Sequence, residues 1–569
     1  MSRNLPAIAA LLAIACSRPL TTSLNASDAV RADLIIVNAK VFTTPGSDAD
    51  ALAIAGDRIV AVGSRSDIEK VMGPATRMLD AHGGSVTPGF NDAHVHFLSG
   101  SLALRQVDLS GAETLAAVEQ RIGEFIKSHP DQTCIVGRGW LYGTFPDGLP
   151  HKALLDKVVS DRPAIMKCYD GHTLWVNSAA LRKANITGST PDPAEGIIVR
   201  DPTTGDPTGV LKESAQALIE KIIPEPSTHE KMTAIQEGIA AAHRLGITSV
   251  QEAGVGLAEL ALFESLRKSG ELPMRIMFAL DGRPRMSAED AAALDALRRR
   301  FPQLNVDAIK LYVDGVIEAH TASMLEPYAN RPVQGLPKFN QEELNDTVQL
   351  LDRHGWQIMV HAIGDGGIRM TLDAFEQAQN ANPTPPRGRR HRLEHIETIN
   401  QADIGRFARL GIIASMQPYH ADPNGNIFNV WAANIGPDRA SRAWPWKSIH
   451  DAGGRLALGS DWPVVSIDPR LGMHTALTRQ TLDGKPPNGF LPQQRLPLRT
   501  VVDAYTSGSA FAEFAEDRKG TLAPGMLADV VVWSKDLFSL PVQRIHTAAV
   551  SATLFNGRIV YEAAKASGQ

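Results

Sequence analysis

A length of 569 residues excludes one small domain, although an α/β barrel takes about 250 residues or more as a single unit. Apolar residues at 43% and charged residues at 21% describe a soluble chain with a large core. The formal charge is only −5 and the lysines and arginines are scattered without a basic stripe, so nucleic acid is excluded as an expected partner.

The first element is a leader. "MSRNLPAIAALLAIACSRPL" has one arginine, an apolar run from Leu5 to Ala15, and small residues that lead into Cys16. The run is too short to span a membrane and has the anatomy of a secretory signal, residues 1–16. Cys16 directly after "LAIA" reads as a lipoprotein processing site, where the thiol is lipidated after cleavage; "AIA" also fits ordinary cleavage. Both readings predict an exported bacterial protein, periplasmic or, where Cys16 is lipidated, anchored at the outer membrane, with that lipid as its only expected membrane contact. Residues 17–32 then form a tether. Cys134 and Cys168 lack metal-ligand spacing and read as buried hydrophobes.

Residues 33–86 hold short β-rich runs broken by Pro-Gly and Gly-Asp turns. The same texture returns over 520–565, in "LADVVVWSKDLF" and "AAVSATLFNGRIVYE", where Asn556-Gly557 is a hairpin signal. Two strand-rich ends around a long middle predict one small β domain built from both termini. Between them, over 87–519, apolar runs alternate with helix-compatible stretches. The runs are "SVTPGF", "GITSVQEA", "PMRIMFAL", "VDAIKLYVDG", "GWQIMVHAIGD", "RHRLEHIE", "GIIASMQP" and "GRLALGSDWP". Eight of them in this rhythm predict an α/β protein with a parallel (β/α)8 barrel. "TCIVGRGW" and "PAIMKCYDGH" are surplus to eight and fall in an insertion after the first strand, residues 100–245.

The chemistry begins at "TPGFNDAHVHF". On a strand, His94 and His96 share one face with Cα atoms about 6.5 Å apart, close enough to converge on one ion. Functional side chains of a barrel sit at the C-terminal ends of its strands. Lys310, His361, His395 and Asp461 all fall at such ends. "HRLEH" also matches an inverted zincin pattern, but that pattern requires a helix; on a strand its histidines lie about 13 Å apart, so His391 reads as structural.

The set "PGFNDAHVHF", "DGHTLWVNSAAL", "IKLYVDGVIEAHTASMLEPY", "VHAIGDGGI", "RLEHIE", "GSDWPV" and "KGTLAPGMLADVVV" resembles the amidohydrolase superfamily. Within it the chain is similar to the YtcJ-like branch, which includes N-substituted formamide deformylases, from residue 33 to 562. The resemblance implies a TIM barrel joined to a β-sandwich made from both termini. It implies one divalent ion on His94, His96 and Asp461 and a second on His361 and His395. Zinc is the expected metal, with iron, nickel and manganese left open. Lys310 is implied to be N6-carboxylated, a carbamate bridging two ions; an ordinary lysine paired with Asp314 at a one-metal site is the alternative. Water on such an ion loses its proton near neutral pH and attacks a carbonyl, while Asp461 moves that proton to the leaving nitrogen. His172, placed near the substrate by the resemblance, reads equally as a histidine satisfied within the insertion. His320 and Trp462 are further candidates for substrate contact.

The expected activity is hydrolysis of a C–N bond in a small-molecule N-substituted amide or formamide. Cyclic-amide, ester or deaminase chemistry on the same site is the alternative, followed by a non-catalytic envelope binding lipoprotein. The oligomeric state is left open.

Overall fold

The computed structural model describes residues 31–43, 48–112, 114–145, 148–169, 173–193, 196–318 and 320–564. The leader, Cys16 and His172 lie outside the described residues.

Eight strands form the central sheet: β1 (Phe90–Val95), β2 (Ile247–Val255), β3 (Arg275–Asp281), β4 (Asn305–Tyr312), β5 (Gln357–Ala362), β6 (Arg392–His395), β7 (Ile413–Met416) and β8 (Arg455–Leu458). Each pairs in parallel with the next in chain order. The two ends of the sheet meet just beyond β1 and β8, where Asp461 N donates to His94 O at 2.7 Å and His96 N donates to Trp462 O at 2.8 Å. Those bonds close the ring. Its interior is filled by small or unbranched side chains, Ala253, Met277, Ala279, Ala308 and Met359, all buried. This choice lets side chains from neighbouring strands fill a narrow barrel.

The intervening helices start where the sequence caps them. Ser227 and Glu230 form a reciprocal capping box for helix Thr228–Arg244, and Asn340 and Glu343 do so for helix Gln341–Arg353. Helix Ile404–Leu410 stops at Gly411, whose φ of +64° a residue with a Cβ adopts only at a cost.

The first barrel strand begins later than the sequence suggested. Ser85–Pro88 pairs antiparallel with Val530–Trp533 in a separate five-stranded sheet, and β1 starts only at Phe90. The break is physical. Pro88 has no amide to continue a ladder, and Gly89 passes so close to Thr248 that a Cβ would lie 2.0 Å from its hydroxyl. The five-stranded sheet also takes Lys40–Val41, Val550–Phe555 and Arg558–Glu562. It packs on a four-stranded sheet of Ala32–Val37, Ala51–Ala55, Arg58–Gly63 and Met72–Asp80, and the two share a core that includes Ile36, Leu52, Val86, Val530 and Leu554. Arg275 ties this β unit to the barrel, its Nε 2.5 Å from Asp529 Oδ2.

Between β1 and β2 the chain builds a six-stranded mixed sheet from segments spanning Val107 to Glu213. Arg138 of that sheet donates to Pro463 O at 2.9 Å, and the Tyr169 hydroxyl donates to Asn426 Oδ1 at 3.2 Å. Both contacts reach loops at the C-terminal ends of barrel strands, so the insertion leans over that mouth. Among the described residues no helix is long and apolar enough to cross a membrane.

Candidate metal centre and active site

Six side chains singled out in the sequence meet at this mouth. His94, on β1, has its Nε2 3.1 Å from Lys310 Nζ on β4 and 3.6 Å from Asp461 Oδ1 beyond β8. His96 Nε2 lies 3.3 Å from the same Asp461 oxygen. His395, ending β6, stacks obliquely against His94 and His361, with ring centroids 4.9 and 4.5 Å away.

The hydrogen bonds behind these rings decide which nitrogen faces inward. His94 Nδ1 donates to Glu394 Oε2 at 2.6 Å, His361 Nε2 to Gly315 O at 3.1 Å, and His395 Nδ1 to Gln417 Oε1 at 2.8 Å. A neutral imidazole that donates from one nitrogen keeps a lone pair on the other, the arrangement a metal ligand requires. Burial drives all three rings toward the neutral form, with the positive charge of Lys310 adding to it at His94 and His361. The imidazole of His94 falls to about 4, that of His361 to about 3, and that of His395 well below its ordinary value. Burial also lowers the Lys310 amine to about 8. At Asp461 burial acts in the opposite sense and is outweighed by His96, 3.3 Å away, and by the other nearby histidines, so the carboxylate stays ionised.

Two sets of nitrogen and oxygen atoms are each gathered within 4.8 Å: His94, His96 and Asp461, and His395, His420 and Asp461. Asp461 Oδ1 and His420 Nε2 are buried there without any hydrogen-bond partner. Buried polar atoms left without hydrogen-bond partners are costly unless a ligand engages them. Mixed imidazole and carboxylate donors suit a divalent transition ion, so the residues present fit such a group. His361 touches His395 and falls outside both sets, while His420 joins His395 and Asp461 in the second. Asp314 is engaged elsewhere. Its carboxylate accepts the amides of Ser323, Ile363 and Gly364 at 2.9, 3.1 and 3.0 Å.

Above the cluster lies a cavity of about 590 Å3, walled by Tyr169, Val316, Glu318, Glu397, Trp444 and Val464 among others. A cavity of about 620 Å3 at the opposite end of the barrel, against Arg518 and Phe555, holds none of these ligands. The expected substrate contacts fare unevenly. Trp462 packs edge-on against Phe97 and over Gly100, where a Cβ would lie 2.3 Å from the indole, so it faces the flanking helix rather than the cavity. His320 turns its ring onto Tyr328 and sits 2.9 Å from Asn330 Oδ1, away from the cavity wall.

Two contributors escaped the sequence reading. His420 follows β7 but sits beyond Pro418 in a short 3-10 turn, offset from the strand end where a ligand is sought. Glu394, on β6, lies wholly buried between Arg392 and His94. The signal was available, since a carboxylate beside a strand-end histidine is the usual orienter of a metal-binding ring.

A closed parallel barrel that gathers imidazoles, a carboxylate and a buried lysine at its C-terminal mouth defines a metal-dependent hydrolase. The sequence places it further: residues 77–561 match the profile described as the Amidohydrolase family, and the chain belongs to that family. It is 31% identical to YtcJ of Bacillus subtilis, which bears an amidohydrolase name, over 87% of this chain and 92% of that protein. It is 27% identical to the N-substituted formamide deformylase of Arthrobacter pascens, covering 93% of this chain and 98% of that enzyme. A metal-dependent hydrolase from Pyrococcus furiosus superposes with a TM-score of 0.67 at 25% identity, over 87% of this chain and 98% of that one.

Proposed function

We propose that the protein hydrolyses the C–N bond of a small N-substituted amide or formamide, with Asp461 as the proton carrier. The observation that carries this reading is the position of Asp461: ionised, buried, with one oxygen unpartnered, at the floor of the cavity and ringed by imidazoles. The 27% identity to a formamide deformylase over nearly both full lengths supports the choice of bond.

His94, His96, His361, His395 and Asp461, with a carboxylated Lys310, would hold one or two divalent ions, zinc foremost. Such an ion, when bound, polarises a carbonyl and makes water acidic near neutral pH. The chain supplies the rest. Asp461 accepts the proton of the attacking water and returns it to the leaving nitrogen, so the C–N bond breaks and a C–O bond forms; the water's second proton passes from the new carboxylic acid to the amine, and a carboxylate and an ammonium depart. His420, its Nε2 3.6 Å from Asp461 Oδ2, is placed to steady the carboxylate between those transfers. Glu394 fixes the His94 ring from behind.

Lys310 is read as N6-carboxylated. Its amine is buried beside His94 Nε2, and Asp314, the carboxylate that would otherwise engage it, is occupied by backbone amides. The neutral amine adds to CO2, releasing a proton and leaving an anionic carbamate with two donor oxygens.

Metal analysis of the purified protein together with a screen of N-substituted formamides against N-acyl amino acids tests the proposal. Turnover of a formamide that disappears in Asp461→Asn supports it. A protein that carries metal but cleaves no amide, formamide or ester with bicarbonate supplied overturns it.

A further inference from the structure

The cavity wall above the metal cluster carries charge of one sign. Glu318 and Glu397 both line it, whereas the only lysine among the described lining residues is Lys310 at its floor, and no arginine lines it. The cavity is marked as a ligand site on separate grounds, because Asp461 Oδ1 faces it buried and unpartnered. One imidazole links the floor to the acidic wall: His420 has Nε2 3.6 Å from Asp461 Oδ2 and Nδ1 3.8 Å from Glu397 Oε1.

The two glutamates differ in what they already hold. Glu397 Oε2 accepts the Trp431 indole N–H at 2.6 Å, and its Oε1 faces His420. Among the described residues Glu318 is met by its own backbone N–H and by the Asn426 amide, the latter at 3.5 Å, the outer limit of a hydrogen bond. Its carboxyl is pushed up to about 7 by burial and by the negative charge of Glu397. Among the described residues no lysine or arginine lies within ion-pair distance of either acid. Around them the wall is apolar and aromatic, with Val316, Ile427, Val430 and Trp444.

The geometry points to Glu318 as a specificity-determining residue that receives a cationic group, an ammonium carried at the far end of the substrate from the scissile amide. This inference rests on the proposed amide hydrolysis and deepens it by naming the substrate class: N-acyl or N-formyl amines that bear a second, protonated amine. The ammonium stem lies along the apolar wall and its head meets Glu318, with Glu397 adding long-range attraction. A partly desolvated pair of opposite charges gains more than an exposed one, which is why the wall discriminates.

The test compares N-(4-aminobutyl)formamide with its neutral isostere N-pentylformamide, in the wild-type holoenzyme and in Glu318→Gln. The wild type is expected to favour the ammonium substrate about tenfold or more in kcat/KM, with the difference residing in KM. Glu318→Gln is expected to erase that preference while its kcat on N-pentylformamide stays unchanged. A binding measurement needs no turnover: the fluorescence of Trp444 and Trp431, beside the acids, is followed as 1,4-diaminobutane or 1-pentanol is added to each holoenzyme. Tighter diamine binding in the wild type, lost in Glu318→Gln, supports the inference even if neither formamide is cleaved, in which case the hydrolytic reading alone has failed. Equal diamine binding by both proteins, or a variant that loses both substrates alike, overturns it.

Discussion

His94 Nδ1 lies 2.6 Å from Glu394 Oε2, and both side chains are wholly buried. Glu394 is held in turn by Arg392, whose Nε reaches Oε1 at 2.9 Å. Burial would raise this carboxyl, but Arg392 and His94 outweigh it and bring it down to about 2. The ring of His94 is therefore oriented by an ion that never leaves its charged form at ordinary pH. Glu394→Gln keeps the shape and removes the charge. It should lower metal affinity about 10- to 100-fold, read by competition with a chelator.

Removal of the bound ions should abolish turnover without unfolding the barrel. Dialysis against a chelator is expected to leave far-UV circular dichroism unchanged, and added zinc or manganese should restore hydrolysis. In Asp461→Asn, restoration should fail even with metal supplied, because the amide side chain cannot carry the proton; the loss in kcat is about 100-fold or more.

Gly459 stands where β8 ends and the chain turns toward Asp461. A Cβ there would sit 2.6 Å from both Asp92 Oδ1 and His94 N. Asp92 holds this corner by accepting His94 N at 3.1 Å and Ser460 N at 2.9 Å. Gly459→Ala should cost about 1–3 kcal/mol of stability in a denaturant titration and should also lower metal content.

His243 closes helix Thr228–Arg244 beneath the barrel, with Nε2 2.9 Å from Pro273 O. Burial lowers its imidazole from 6.5 to about 4. Above pH 6.5 the ring is neutral in both folded and unfolded chains, so its full contribution to stability is present. As pH falls from 6.5 toward about 4, the unfolded chain takes up a proton that the folded one refuses, and stability is lost, by about 3 kcal/mol in all. Thermal unfolding of His243→Gln across this window should show a flatter pH dependence than wild type.

Arg275 grips Asp529 through both Nε and Nη2 and joins barrel to β unit. Asp529 is buried, and it also accepts the amide of Asn556 at 2.9 Å. Asp529→Asn leaves the guanidinium facing a neutral amide and should cost about 2 kcal/mol, measured by urea unfolding.

The parts of this architecture that could be read from sequence are those where chemistry repeats with position. His94, His361, His395 and Asp461 stand at or just past the ends of apolar runs and Lys310 two residues short of the end of β4, and parallel strands bring such ends to one rim whatever their separation along the chain. What could not be read depends on local direction. Trp462 follows an inward residue whose backbone is left-handed, and it packs outward on Phe97 and Gly100. His420 reaches the cluster only because the chain bends after Pro418. The boundary between β unit and barrel hides inside one apolar run, since Val86 and Phe90 are equally buried and only Pro88-Gly89 separates two sheets.

The hydrogen bonds that join Asp461 to His94 and Trp462 to His96 are also the seam of the barrel, where the first-made strand meets the last. A ribosome must therefore finish nearly the whole coding message before these partners exist together, and a nascent chain stopped earlier offers incoming ions only fragments of a nest. A chain that stops before Asp461 leaves the barrel open at one side and the nest incomplete.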